Sequence, residues 1–355
     1  MKRRLPVNPI AVVGIVATIA AVAAPAVAQQ TPEVVASGLD RPRGLAVAPD
    51  QTLYAVLVGH GGGSCDSGSC VGGSGRIVRV SDGAVTPVAT GLLSMLGVPN
   101  TFATIGADQV TVLANGRLAT VVTAEFNDAR NRPPPVVPKA LRPQVGHVVT
   151  FTPFGPLRIG AKVSAPEFAH DPDGEGKISN PYGVASIGSA IYVTDAGAND
   201  LLEVRNGHVR VLTTFPHPSP GAQAVPTGLA VGPDKALYVG EYTGGTQRPG
   251  TARIWRVVPG HKPRVFARGF TTISALAFGP DGSLYVAEFG PGAVIRLAPD
   301  GLRTVLASGT LHYPGGIAVT ADGTVFVSDW SPAGSKPSKS GRTKGQTGRI
   351  VRLRA

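Results

Sequence analysis

Apolar and small residues alternate over five or six positions at six places along the chain, and each run meets a second one across a tight turn. The clearest case is Val225-Pro-Thr-Gly-Leu-Ala-Val-Gly-Pro-Asp-Lys-Ala-Leu-Tyr-Val-Gly-Glu241. Near-copies run from Pro42 to Val56, Pro181 to Asp195, Ser274 to Glu288 and Pro314 to Asp329, with a worn copy from Val110 to Val122. A period of two is the period of a strand, so each copy predicts a β-hairpin. The turns are Pro-Asp-Gly or a relative: proline presets one dihedral, Asp bonds its own backbone, and Gly supplies the left-handed angle. Four residues past each turn residue stand Tyr54, Tyr192, Tyr238, Tyr285 and Phe326, aromatics suited to a half-buried pleated surface. A lone hairpin cannot bury its own face. Six copies spaced about 40 to 70 residues apart therefore predict an all-β, six-bladed β-propeller of four-stranded antiparallel blades.

The chain ends say how the ring would close. Outer strands are visible at Val85-Thr-Pro-Val-Ala89, Val209 to Leu212, Arg264 to Ala267 and Thr304 to Ala307. The last blade stops early, at Gly348-Arg-Ile-Val-Arg-Leu-Arg-Ala355, text that matches Gly75-Arg-Ile-Val-Arg-Val80 in the first. Its missing outer strand is expected at the other end, because Val34-Val-Ala-Ser-Gly-Leu39 resembles Val305-Leu-Ala-Ser-Gly309 and Val88-Ala-Thr-Gly-Leu92. Residues 33–38 would thus complete the last blade and remove an exposed sheet edge.

Composition then changes the setting. Residues 1–28 have the form of an export signal: Lys2, Arg3 and Arg4, an apolar run from Ile10 to Val22, and Ala26-Val-Ala28 as a small-residue cleavage site. No second apolar span follows, so residues 29–355 are expected as one propeller domain, secreted or periplasmic, monomeric and without a transmembrane segment. Loss of the leader leaves 30 bases against 22 acids. Outside the cytoplasm that excess excludes nucleic acid as the natural partner and leaves an anionic envelope polymer, a protein or a small molecule. It also fits a positive surface that only aids solubility.

Several loops carry candidate chemistry. Cys65 and Cys70 share one Gly- and Ser-rich loop, and export favours a disulfide between them. Glu125 to Pro143 interrupts the second blade with a stiff proline-rich stretch, either a lid or an inert insertion. Asp171, Asp173 and Glu175 alternate before Gly176 and Ile178 like the first half of a calcium loop, but Tyr182 stands where a bidentate Glu is needed. They are weak candidates for Ca²⁺. Lys336, Lys339, Arg342 and Lys344 form a basic loop that would grip an anionic polymer or simply be solvated.

A propeller brings the starts of its inner strands and the ends of its second strands to one face. The first group places Arg43, Tyr182, Thr227, Ser274 and Gly315 there; the second places Asp195, Glu241, Glu288 and Asp329, seven residues past each turn, with Leu57 and Val122 in the other copies. Acids so placed either bind a cation or an amine, or do acid–base work, or cap the following loops through backbone N–H groups. No G-x-S-x-G elbow, H-E-x-x-H pair or phosphate-cradling loop occurs, and the histidines are scattered.

These motifs resemble the secreted propeller family named after the scytonemin-pathway proteins ScyD and ScyE. The likeness rests on Ser37-Gly-Leu-Asp-Arg-Pro-Arg-Gly-Leu-Ala46, Ser179-Asn-Pro-Tyr-Gly-Val184, Asp195-Ala-Gly-Ala-Asn-Asp-Leu-Leu202, Val225 to Asp234 and Tyr238-Val-Gly-Glu-Tyr-Thr-Gly-Gly245. It implies an exported protein, tied in some members to secondary-metabolite maturation, with no agreed reaction; Leu57 departs from the usual acid. The chain is also distantly similar to gluconolactonase-type propellers, whose Ca²⁺ or Zn²⁺ needs acid and amide ligands at positions held here by Arg43, Tyr182, Thr227, Ser274 and Gly315. The sequence therefore predicts a ligand- or partner-binding propeller using Tyr182, Asp195, Asn199, Thr227, Glu241, Tyr242, Glu288 and Asp329. The alternative is a metal-dependent lactonase or lyase using the same acids.

Overall fold

The computed structural model describes residues 31–66, 68–97, 104–125, 127–245, 247–329 and 348–354. The expected leader, residues 1–28, and the basic stretch from Lys336 to Lys344 lie outside these residues. Among the described residues almost all regular structure is strand; the exceptions are one short α-helix, Ala165–His170, and one 3-10 turn, Arg142–Gln144.

Three antiparallel four-stranded sheets follow chain order. The first runs Pro181–Ile187, Ala190–Asp195, Asp200–Arg205, His208–Thr214. The second runs Pro226–Val231, Leu237–Glu241, Ala252–Val257, Arg264–Phe270, and the third Ile273–Phe278, Leu284–Glu288, Ala293–Leu297, Arg303–Ala307. A terminal sheet consists of Gly316–Val319, Val325–Asp329 and Gly348–Leu353, with Glu33–Leu39 from the other end of the chain as its fourth strand. In that pairing Glu33 lies across from Arg352 and Val34 from Val351.

Between residues 42 and 162 the expectation of separate four-stranded sheets fails, because one nine-stranded sheet spans this region. The strands Ser69–Ser81 and Ala84–Leu96 are unusually long, 13 residues each, and stay paired as far as Cys70 opposite Leu96. Their excess length reaches the next hairpin, where Ser94–Leu96 pairs with Thr104–Gly106. Cys65 and Cys70 are disulfide-bonded at the base of a small side hairpin there. The proline-rich insertion packs on this region: Ser64 donates to the Val136 carbonyl, and Gln144 bonds both Gly91 and Leu93.

The strands Pro42–Val47, Thr104–Val112, Pro181–Ile187, Pro226–Val231, Ile273–Phe278 and Gly316–Val319 surround a channel of about 330 Å³. Strand 42–47 touches both 104–112 and 316–319, which sets the terminal sheet beside the nine-stranded one. The contact is tight enough to explain the recurring Pro-x-Gly text. A Cβ on Gly316 would lie 2.4 Å from the Arg43 carbonyl oxygen, and one on Gly44 would lie 2.4 Å from Gln109. Side chains tie other neighbours together: Thr227 donates to the Ile273 carbonyl at 2.6 Å, and Ser274 to that of Pro314 at 2.6 Å.

Between sheets the core is apolar. Leu237, Val239 and Trp255, for example, meet Tyr192, Leu201 and Phe215 of the preceding sheet. Each such side chain contributes about 1.5–3 kcal/mol by leaving water. The aromatics four residues past the turns have a second role. The Tyr238 hydroxyl reaches the Asp234 carboxylate at 3.3 Å, which also accepts from Arg256 at 2.7 Å. Asp281 and Arg296 repeat the ion pair at 2.6 Å.

Candidate functional site

The four acids at the ends of second strands are each engaged within their own sheet. Glu241 is fully buried; it accepts from Arg253 Nη2 at 2.7 Å, from Trp255 Nε1 at 2.8 Å and from the Arg253 amide at 2.9 Å. Asp329 accepts from Arg349 Nε at 2.8 Å and from the His312 amide at 2.5 Å. Glu288 accepts from the Thr271 amide, and burial raises its pKa. Asp195 takes four donors: the Ser179 hydroxyl at 2.5 Å and the amides of Asn180, Gly197 and Ala198 at 2.6, 3.1 and 3.2 Å. Burial still outweighs them and pushes its pKa up to about 6. These contacts are those of loop caps.

The third strands supply the partners, and their text is legible afterwards. Arg253-Ile-Trp-Arg256-Val and Arg349-Ile-Val-Arg352-Leu place the first arginine against the acid and the second near the turn Asp. Ala293-Val-Ile-Arg296-Leu keeps only the second arginine. In the 181–214 sheet the same positions read Asp200-Leu-Leu-Glu203-Val, and Asp195 lies directly across from Asp200. Glu203 has Arg205 and Arg210 at 3.0 and 2.6 Å. Asp200 is 1% exposed, and neither carboxylate oxygen has a hydrogen-bond partner among the described residues.

Asn199, in the left-handed region at φ 49°, joins two loops: its Nδ2 donates to Asp173 at 2.8 Å, and its Oδ1 accepts from the Val225 amide at 3.0 Å. Thr227 is committed to the tie with Ile273. The three calcium-loop candidates separate. Asp171 and Asp173 gather with Glu167, each offering an oxygen within 4.8 Å of the others'. Glu175 turns away to His217 and to Gln223 Nε2 at 3.0 Å.

Tyr182 and Tyr242 come together at one mouth of the channel, around Arg43. The Arg43 guanidinium is buried, paired with Asp108 and bonded to the Thr104 carbonyl at 2.7 Å. It also acts on both tyrosines and bonds the Tyr182 hydroxyl. Burial drives the pKa of both hydroxyls upward, so they remain phenols that donate and accept. An aromatic row leads outward: Tyr242 meets Phe289 edge-on at 5.6 Å, and Phe289 meets Tyr313 at 5.1 Å. Glu125 stands by Asp108 and Arg43 and stays open to solvent; crowding by protein, then the Asp108 charge, raises its pKa. Two members of the row were readable as an aromatic directly after the acid, in Glu241-Tyr242 and Glu288-Phe289; Tyr313 carries no such signal. Asp108 and Glu125 sit in the worn hairpin and the insertion, where the repeat gives no register.

Solved structures share this architecture at low identity. A gluconolactonase from Xanthomonas campestris is 13% identical with a TM-score of 0.54, over 90% of this chain and 89% of that one. Regucalcin from Agrobacterium tumefaciens, described as a calcium-binding protein, is 12% identical with a TM-score of 0.52, over 89% of this chain and 92% of that one. A streptogramin B lyase is 12% identical with a TM-score of 0.51, over 91% of this chain and 97% of that one. The chain thus has a propeller-type, nearly all-β fold. No family model matches it, and no curated protein matches it. Fold likeness of this kind carries no reaction with it.

Proposed function

We propose that the chain is a closed six-bladed propeller of the ScyD/ScyE type, exported by its leader, that binds a small polar aromatic ligand at the mouth around Arg43. Closure is supported by the pairing of Glu33–Leu39 with Gly348–Leu353 and by the contact of strand 316–319 with strand 42–47. The observation that carries the binding role is the row Tyr242, Phe289, Tyr313 beside the hydroxyl of Tyr182. Aromatic faces supply flat apolar contact, and the hydroxyls with Glu125 supply orientation. Glu241, Glu288 and Asp329 hold the loops that carry this row, while Asp195, Asn199 and Thr227 hold the neighbouring frame.

The test is a panel of phenols and indoles titrated into the mature protein by calorimetry, followed by the double variant Tyr242→Ala/Tyr313→Ala. Loss of two aromatic contacts is expected to weaken a hit by about tenfold or more. Unchanged affinity in a folded double variant, or a panel with no hit, would count against the mouth as the site.

The hydrolytic alternative has one observation in its favour, the solvent-open Glu125 with its raised pKa beside the Arg43–Asp108 pair. That is the setting of a general acid or base. It predicts turnover of a lactone that Glu125→Gln abolishes; a lactone panel left intact by the protein would remove it.

A further inference from the structure

The cross-strand position opposite the capping acid holds Arg349 in the terminal sheet, and Arg253 faces Glu241 in the 226–270 sheet. In the 181–214 sheet that place belongs to Asp200, so two buried carboxylates oppose each other. Like charges directly opposite are destabilising. Asp195 is relieved by its four donors, but Asp200 has none. The charges that act on Asp200 are those of Asp195, Glu167 and Asp173, all of the same sign.

The sequence also builds a cover over this place. Pro166 opens the short helix Ala165–His170, which sets Glu167 inward, 1% exposed. Glu167 accepts from the Ile178 amide at 3.2 Å through Oε1, while its buried Oε2 has no partner. The helix stops at Asp171, which turns left-handed at φ 48° and brings Asp171 and Asp173 to the Glu167 side chain. Asn199, the neighbour of Asp200, fastens Asp173 there at 2.8 Å. Three carboxylate oxygens within 4.8 Å match the spread of ligands around an ion with metal–oxygen distances of about 2.4 Å. Among the described residues, Glu167 Oε2 within this group has no donor, and neither has the Asp200 carboxylate, on which the charges of Glu167 and Asp173 act.

We propose that Glu167, Asp171 and Asp173 form a binding site for a hard divalent cation, Ca²⁺, whose charge offsets the buried Asp200 carboxylate beside it as arginine offsets the capping acid in two of the sister sheets. All-oxygen donors and a flexible acidic loop suit Ca²⁺ over Zn²⁺, which prefers nitrogen and sulfur. Burial also drives the pKa of Asp200 well up, and that of Glu167 up to about 7, the sign of an uncompensated negative cluster. The site lies off the channel, so it serves to fasten the loop 167–180 to the sheet and not to carry chemistry.

The experiment uses the exported, mature protein stripped with chelator and titrated with CaCl2 by calorimetry, with melting followed in parallel. One stoichiometric site and a rise in Tm of about 5 °C or more at saturation are expected. Asp200→Asn should weaken Ca²⁺ about ten- to a hundredfold while leaving the stripped protein folded. Asp171→Asn, on the partly exposed rim, provides the same loss with little risk to folding. No Ca²⁺ uptake by the wild type, or uptake unaltered in both variants, would overturn the proposal.

Discussion

Two sheets of this protein treat the same repeat position in opposite ways. In the 226–270 sheet a buried Glu241 meets Arg253 and Trp255, and both of its carboxylate oxygens accept hydrogen bonds. In the 181–214 sheet a buried Asp195 meets Asp200, and the second carboxylate has no hydrogen-bond partner among the described residues. A repeat fold tolerates either arrangement in its backbone, since the strand pairing is the same. What differs is where the compensating charge comes from: from the chain itself in one sheet, and from solution in the other. An inverted charge at a fixed repeat position is therefore a better pointer to an ion site than the alternating acids of the loop alone.

The comparison can be broken most forcefully at the self-sufficient sheet. Glu241→Ala leaves the Arg253 guanidinium buried without its carboxylate and should cost about 3–5 kcal/mol in denaturant unfolding. A loss under about 1 kcal/mol would mean that Arg253 finds water and that the pair is ornamental. Next, Gly316→Ala at the junction with strand 42–47 forces a Cβ to 2.4 Å from the Arg43 carbonyl; a loss of about 1–3 kcal/mol is expected, and none if the junction is loose.

In the other sheet the sign should reverse. Asp200→Asn removes an uncompensated carboxylate, so in chelator it should stabilise by about 1–2 kcal/mol. In excess Ca²⁺ the ranking should invert, and a variant less stable than wild type in both buffers would contradict the assignment.

The smallest effect is at the exposed turn pair Asp281–Arg296. Asp281→Asn should cost less than about 1 kcal/mol. Arg296 holds the Asp281 pKa down to about 2, below its unfolded value near 4. Its contribution is thus complete above about pH 4 and fades as pH falls towards 2. A wild-type-minus-variant stability difference that grows on acidification would show the pair has been misjudged.

Much of the architecture was legible because hairpin periodicity and turn chemistry are local. The pairing of Glu33–Leu39 with the last strand followed from matched text at both chain ends, and the Cys65–Cys70 bond from their shared loop. The run-together sheet was not, since nothing local states how far Ala84–Leu96 extends beyond its hairpin partner. The placing of Tyr182 and Tyr242 near Arg43 was legible because the repeat assigns their register. Glu167 was missed because it lies in a helix of only six residues between repeats. Asp200 was missed because its meaning depends on what stands across the strand, and that appears only when third strands are set side by side.

The most direct measurement is anomalous diffraction from crystals of the mature protein grown with Ca²⁺ and soaked in terbium. One strong peak is expected, bounded by the carboxylates of Glu167, Asp171 and Asp173. A peak at the channel mouth beside Asp108 and Glu125 instead, or no peak, would contradict it.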